Sequence, residues 1–306
     1  MAGTITRGNI PRLLQEGLNT TFGHEYKRYP DQFTKLFNTE SSRKAFEIDQ
    51  MVEGMGLASI KPEGSDVAFD DFQQGNAPKY NHYTVAKGFV VTQEALEDEL
   101  YGLMSKKARM LGYSMKITKE VIAANIYNRA FNPAFTMPDG DGVQLLSAAH
   151  PAGPSGGTFS NVLPVASDLS EASLEDLLIQ IGLATDSRGQ RMMLSAEKLI
   201  VPVALQFDAH RILKSTLQND TANNAINAVR SMGLISEVVV NNYLTSNDAW
   251  FIKTDVPDGM KHFVRRGIAF GEDNAFLSGN ARFKASERYS FGWSDPRGLY
   301  GSAGTA

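Results

Sequence analysis

The strongest pattern in the chain is a set of apolar residues three and four apart between residues 92 and 131. Leu96, Leu100, Leu103, Met110, Leu111, Met115, Val121, Ile122 and Ile126 fall on one stripe of a helix. Thr92 suits the N-cap. Glu94, Glu97, Asp98 and Glu99 crowd the first turns, where the helix dipole favours negative charge. Asn132-Pro133 ends the pattern. About 40 residues at 1.5 Å each predict a spine about 60 Å long. Gly102 and Gly112 lie inside it, at about 1 kcal/mol each relative to alanine, and mark bends or close packing.

The segments before the spine are patterned differently. Residues 56–91 alternate on both sides of Gly75-Asn76-Ala77-Pro78, with Val67, Phe69 and Phe72 before it and Tyr83, Val85, Lys87, Phe89 and Val91 after it. This predicts a long β-hairpin. It is polar for its length, and a lone two-stranded ribbon is marginal in water, so it needs a partner surface. Residues 1–55 scatter their apolar side chains between Gly8, Pro11, Gly17, Gly23 and Pro30. A short helix over residues 10–18 fits, with Pro11 in its first turn; the rest reads as an irregular arm. That arm packs on its own domain or lies over a neighbouring subunit.

After the spine, residues 133–170 are rich in loops, including Met137-Pro-Asp-Gly-Asp-Gly142 and Pro151-Ala-Gly-Pro-Ser-Gly-Gly157. A second helix is expected from Ser173 to Asp186, with Ser173 and Asp176 as a capping box. Residues 196–256 alternate strand and helix: a buried strand Lys198–Val203, a helix Leu205–Leu217, a polar loop over 219–224, then strands Glu237–Val240 and Ala249–Lys253. Two strands follow, within Lys261–Phe270 and Ala281–Trp293, before a small-residue tail, Gly301–Ala306.

Composition narrows the chemistry. The chain has 306 residues, no cysteine and a formal net charge of −4. Disulfides, thiolate nucleophiles and Cys-ligated zinc are excluded. The acidic balance argues against a duplex-binding surface over most of the molecule but leaves room for a local basic patch. The first residues lack the apolar stretch of a secretory signal, and no apolar run approaches the about 20 residues of a membrane helix. None of His24, His82, His150, His210 and His262 pairs at helical metal-site spacing. His150 reads as a loop histidine bonded to backbone. Asp139-Gly-Asp141-Gly142 begins like a calcium loop, but its twelfth place is His150, so it reads as a turn. No nucleophile elbow, P-loop or dinucleotide fingerprint is present. The expectation is a protein that is not an enzyme, with no catalytic, cofactor-binding or metal residues and no cofactor.

Several segments carry a family resemblance. Leu145-Leu-Ser-Ala-Ala-His-Pro151 followed by the Gly-rich stretch and Ser160-Asn161 resembles a loop of Mu-like head proteins. Lys198-Leu-Ile-Val-Pro-Val-Ala204, Ala249-Trp-Phe-Ile-Lys253 and Ala281-Arg-Phe-Lys-Ala-Ser-Glu-Arg-Tyr-Ser-Phe-Gly-Trp293 resemble strands of their axial domain. In this order the chain is similar to major capsid proteins of tailed bacteriophages with the Hong Kong 97 fold. The resemblance implies an α+β fold with an N-terminal arm (1–55), an extended hairpin loop (56–91), a peripheral domain with the spine helix (92–195), an axial domain (196–256) and C-terminal strands (257–306). It implies homo-hexamers and homo-pentamers closing an icosahedral head around double-stranded DNA, contacted without sequence preference. Scaffolding, portal and decoration proteins would be the other partners. Such a protein assembles in the host bacterial cytoplasm, resides in the virion and touches no membrane. Some members crosslink through a Lys–Asn bond; Lys61, Lys79 and Lys87 lie near the hairpin without a matching Asn or Glu, so no crosslink is expected. An encapsulin-like compartment shell is the alternative within the fold, and a soluble α/β enzyme the alternative outside it.

Overall fold

A computed structural model describes residues 10–305 apart from 53, 72–73, 93–100, 154–156, 219–224 and 275–279. The acidic start of the spine, Phe72 and the polar loop 219–224 lie outside the described residues. The chain divides into two compact units. One comprises residues 1–32, 82–122 and 264–290; the other comprises 33–81, 123–263 and 291–306.

In the first unit, helix α1 (Ile10–Lys27) and most of the spine helix (Tyr101–Asn128) cover a sheet. Its strands run in the order β10 (Met260–Asn274), β11 (Ala281–Trp293), β4 (Tyr83–Val91). β4 and β11 pair antiparallel from Ala281↔Val91 to Tyr289↔Tyr83. Alternate residues of a strand share a face, so Val85, Phe89, Phe283 and Ala285 point the same way. They meet Met104, Ala108, Leu111 and Met115 of the spine, with Leu18 and Phe22 of α1. Of the predicted stripe, Leu111 and Met115 pack here, while Met110 and Val121 are exposed; Met104 and Ala108, not part of that stripe, complete the buried face. The hairpin prediction fails here: β4 is a sheet strand, with Phe89 stacked on Phe283 at 5.0 Å and Tyr83 edge-on to Tyr289 at 5.3 Å.

Helix α1 also outruns the predicted 10–18 by nine residues. Gly17 and Gly23 read as breakers, yet neither has a neighbour within 4 Å of a would-be Cβ; they cost propensity only. Leu18 and Phe22, one turn apart, are buried in the unit's own core, so this part of the arm packs on its own subunit. Gly112 explains the closeness of α1 to the spine. A Cβ there would lie 2.9 Å from the Phe22 carbonyl oxygen. Gly112→Leu should therefore lower unfolding free energy by about 1–3 kcal/mol, as overpacking does. Urea unfolding reads this directly, and an unchanged midpoint would refute the close approach.

In the second unit, the strand order is β12 (Leu299–Ser302), β9 (Trp250–Thr254), β7 (Ala196–Pro202), β8 (Glu237–Asn241). β7 and β8 are parallel, and β9 runs antiparallel to β7. The helices Gln206–Lys214 and Ala228–Met232 lie in the crossover between the parallel pair, as parallel strands require. Leu199, Val201, Trp250, Ile252 and Tyr300 build the core with Leu174, Leu177 and Ile181. The latter three come from the helix Glu171–Gly182, which starts earlier than predicted. Its capping box is Ser170 with Ser173, each side chain accepting from the other's backbone N–H. β12 was not anticipated at all. It pairs with β9 from Leu299↔Lys253 to Ser302↔Trp250, overlapping the expected small-residue tail at Gly301 and Ser302.

Candidate assembly site: a tethered apolar loop and the junction behind it

The second unit holds the rest of the predicted hairpin, with a different turn. β2 (Phe46–Ile48) pairs with β3 (Lys79–Asn81). The ribbon continues through Asp49 N–H to Pro78 O, Met51 N–H to Asn76 O and the Val52↔Gln74 bridge. Gly75-Asn76-Ala77-Pro78 is thus part of the returning limb, and the chain reverses within residues 53–73. Leu57, Ile60, Val67 and Phe69 are exposed there, Ile60 at 96% and Phe69 at 95%. Four large apolar side chains on one short segment exceed the scattered singles normal on a monomer.

Two polar clusters root this loop. At the ribbon's base, Asp49 accepts from Lys261 Nζ and from Ser294 Oγ. Ser294 also bonds the Tyr80 hydroxyl at 2.7 Å. Lys261 reaches Asp258 at 2.7 Å. Burial by itself would lower the Lys261 pKa, but its hydrogen bonds to Asp258 and Asp49 carry it above the usual lysine value.

Further out, a tight turn grips both limbs. Asp186 Oδ1 accepts from the Arg188 and Gln190 backbone N–H groups, and Gly189 supplies the positive φ of 77° that the turn needs. Arg188 then pairs with Asp70 at 2.6 Å and donates to Asp71 O at 2.8 Å, while Gln190 Nε2 donates to Met55 O. Asp70 closes the ring by accepting from Gly56 N–H at 2.6 Å. The Gly56 and Asp71 N–H groups, with Arg188, hold its carboxyl below the usual carboxylate range. A depressed pKa stabilises the folded contact above the unfolded value and is lost as pH falls through the folded one. The clamp should therefore persist through mildly acidic pH. Arg188→Ala should leave thermal unfolding within about 1 °C, an exposed pair being worth little, yet expose the 53–73 segment to proteolysis. Limited digestion resolved by mass spectrometry checks this; cleavage no faster than wild type would count against the clamp.

The family-like segment around His150 forms a junction. His150 is fully buried; its Nδ1 lies 2.6 Å from Asp141 Oδ2, and its ring stacks on Phe159 at 5.1 Å. Arg297 covers the other side of the same assembly, 4.0 Å from the Phe159 ring centre, and donates to Thr185 O. The expected backbone partner of His150 is thus a carboxylate. Asp139, at φ 56°, and Gly142, at φ 77°, make the predicted turn, and that turn delivers Asp141. Asn161, also fully buried, ties the junction together. Its Nδ2 donates to the carbonyls of Leu145, Pro296 and Leu299, and its Oδ1 accepts from Ser147 N–H at 2.8 Å.

The polar side chains of this junction bond backbone groups and one another. His24 and His210 are exposed. His82 bonds Ser290 at 2.9 Å, and His262 is stacked on Phe291 and bonded to Thr39. Among the described residues no group of three or more His, Asp or Glu could hold a metal ion. Clefts of about 540 and 630 Å³ flank Phe159 and Arg297. The carboxylates on the larger, Asp141, Asp186 and Asp295, each cap a turn through backbone N–H groups. Among the described residues no helix is long and apolar enough to cross a membrane.

The sequence model of the family described as Phage capsid protein matches residues 77–302, and the chain belongs to that family. The fold agrees. The capsid of a native GTA particle superposes with a TM-score of 0.55 at 14% identity, over 89% of this chain and 90% of that one. A structure from Mycobacterium phage Adephagia gives 0.54 at 13%, over 99% of each chain. One from Microbacterium phage Oxtober96 gives 0.52 at 9%, over 90% and 93%. No curated protein matches the chain. The protein is a structural phage capsid subunit with the α+β Hong Kong 97 fold, a component of the virion shell.

Proposed function

We propose that this subunit assembles into hexamers and pentamers that close an icosahedral head around double-stranded DNA. The observation that carries the reading is the apolar loop held out by Arg188, Gln190 and Lys261: its side chains have no core of their own and fit a neighbouring copy. Burying each of them contributes about 1.5–3 kcal/mol, which assembly can use. In this reading the ribbon of residues 46–52 and 74–81 carries the extended loop, the unit built on the spine helix with β4, β10 and β11 is the peripheral domain, and 196–256 form the axial domain. Assembly takes place in the host bacterial cytoplasm with scaffolding, portal and decoration proteins, and the subunit itself performs no catalysis.

Negative-stain microscopy of the expressed protein tests the reading. Closed shells containing nucleic acid are expected. A monomer at all concentrations would overturn it, and shells enclosing an enzyme would move it to a compartment protein. Boiled in denaturant, the shells should run as a single 33.5 kDa band, because no covalent crosslink is expected; a ladder would show one.

A further inference from the structure

The sheet of the first unit has a second face, opposite the spine helix. Phe283, Ala285 and Tyr289 of β11 point into the core, so Arg282, Lys284, Ser286 and Arg288 point the other way. Opposite them in register stand Val90, Gly88, Ala86 and Thr84 of β4, all exposed. Arg266 reaches the same face from β10, its Nη2 donating to Ser286 Oγ at 2.8 Å. Lys284 lies across Gly271, whose would-be Cβ is 3.7 Å from Lys284 Cε. The result is a shallow floor of small residues carrying four cations.

The carboxylates do not cancel them. Of the acidic residues on β4, β10 and β11, Glu287 is on the covered face, bonded to Tyr26 and Lys119. Glu272 has a buried Oε2, and burial raises its pKa. Asp273 stands at the end of β10. Among the described residues neither Arg282 nor Lys284 enters an ion pair. Among the described residues, a chain of net charge −4 thus keeps positive charge without ion-pair partners on this face, Arg288 donating only to His82 O at 3.4 Å. Side chains two apart on a strand are about 6.8 Å apart, so Arg282 to Arg288 spans about 20 Å. That length faces about six phosphates of one DNA strand along the duplex axis.

We propose that this face, with Arg266, Arg282, Lys284 and Arg288, contacts the phosphate backbone of duplex DNA without reading sequence. The proposal rests on the DNA-enclosing reading above and adds the surface that meets the DNA. The small residues let the backbone approach, and the cations displace its counterions. Four such contacts give a log–log salt slope of about −3 to −4. The acidic remainder of the chain keeps binding weak, which lets packaged DNA slide.

The test is fluorescence anisotropy of a random-sequence duplex titrated with full-length subunit at several salt concentrations. Arg282→Gln/Lys284→Gln should reduce the slope by about 2 and weaken binding at low salt by about tenfold or more. Arg282→Lys/Lys284→Arg should bind as wild type. Thermal unfolding, expected to be unchanged because both side chains are exposed, verifies that each variant is folded. Unchanged affinity and slope in the Gln variant would overturn the proposal. So would equal loss in both variants, which would make the effect one of shape rather than charge. Loss of self-association with DNA binding intact would assign the face to a protein contact and overturn it too. Wild-type subunits that bind DNA but never close shells would sink the assembly reading and leave this one standing. Closed DNA-filled shells with unaltered binding by the Gln variant would do the reverse.

Discussion

Ile60→Asp combined with Phe69→Asp should abolish shell formation while leaving a folded subunit. Both side chains stand almost fully in water, so charging them removes no packing within the subunit, and the thermal midpoint should move by less than about 2 °C. In a shell the same positions would be covered by a neighbouring copy. Burying an unpaired carboxylate costs several kcal/mol, and the defect repeats at every copy. Sedimentation velocity should show shells for the wild type and a slow species for the variant. Normal shells from the double variant would show that the loop remains in solvent after assembly and would remove the observation on which the proposed function rests.

Asn161→Ala should have the largest effect on stability. It strips a hydrogen-bond donor from the carbonyls of Leu145, Pro296 and Leu299 and an acceptor from Ser147 N–H, in a place where Asn161 has no exposed surface. Each buried polar group left unsatisfied costs about 1–3 kcal/mol. With partial relaxation, a loss of about 3–4 kcal/mol is expected, or a midpoint lower by about 5–6 °C in a chain of this size. Calorimetry measures it. Asn161→Asp keeps the acceptor for Ser147 and loses the donors, so it should be as damaging near neutral pH. A variant within 2 °C of wild type would mean that the junction is not what joins these segments.

The two predictions sit at opposite ends of what the sequence made legible. The spine was readable as a helix because its apolar residues repeat near every third and fourth place; its buried face was read only in part, since Leu111 and Met115 pack beside Met104 and Ala108 while Met110 and Val121 stay exposed. The strands β7 to β9 were readable for a similar reason: short apolar runs flanked by polar loops. The loop was half legible. Its polarity and lack of a core were visible, but Gly75-Asn76-Ala77-Pro78 has the chemistry of a turn, and only the pairing of residues 46–52 with 74–81 shows that it is a strand limb. No local signal announces that a strand's partner lies 30 residues upstream or, for β4, far downstream in β11. β12 was hidden because it is four residues long and ends in Gly301-Ser302. Gly301 is there because a Cβ would stand 2.8 Å from the Trp250 carbonyl, a constraint set wholly by tertiary packing. The junction was seen as a family-like string and not as a mechanism. Asn161 and His150 act through partners 9 to 138 residues away, and the polar letters alone do not name those partners.

The pairing of β4 with β11 joins residues about 200 positions apart, and the first unit is assembled from three separated stretches of chain. Closing loops of that length is entropically costly before any contact rewards it, and domains dominated by distant pairings fold slowly. The face that grips the spine helix therefore comes together late, after most of the second unit can already have formed. A slow last step would meter the supply of complete subunits, so that they enter the assembling pool a few at a time and find a growing edge before they find one another.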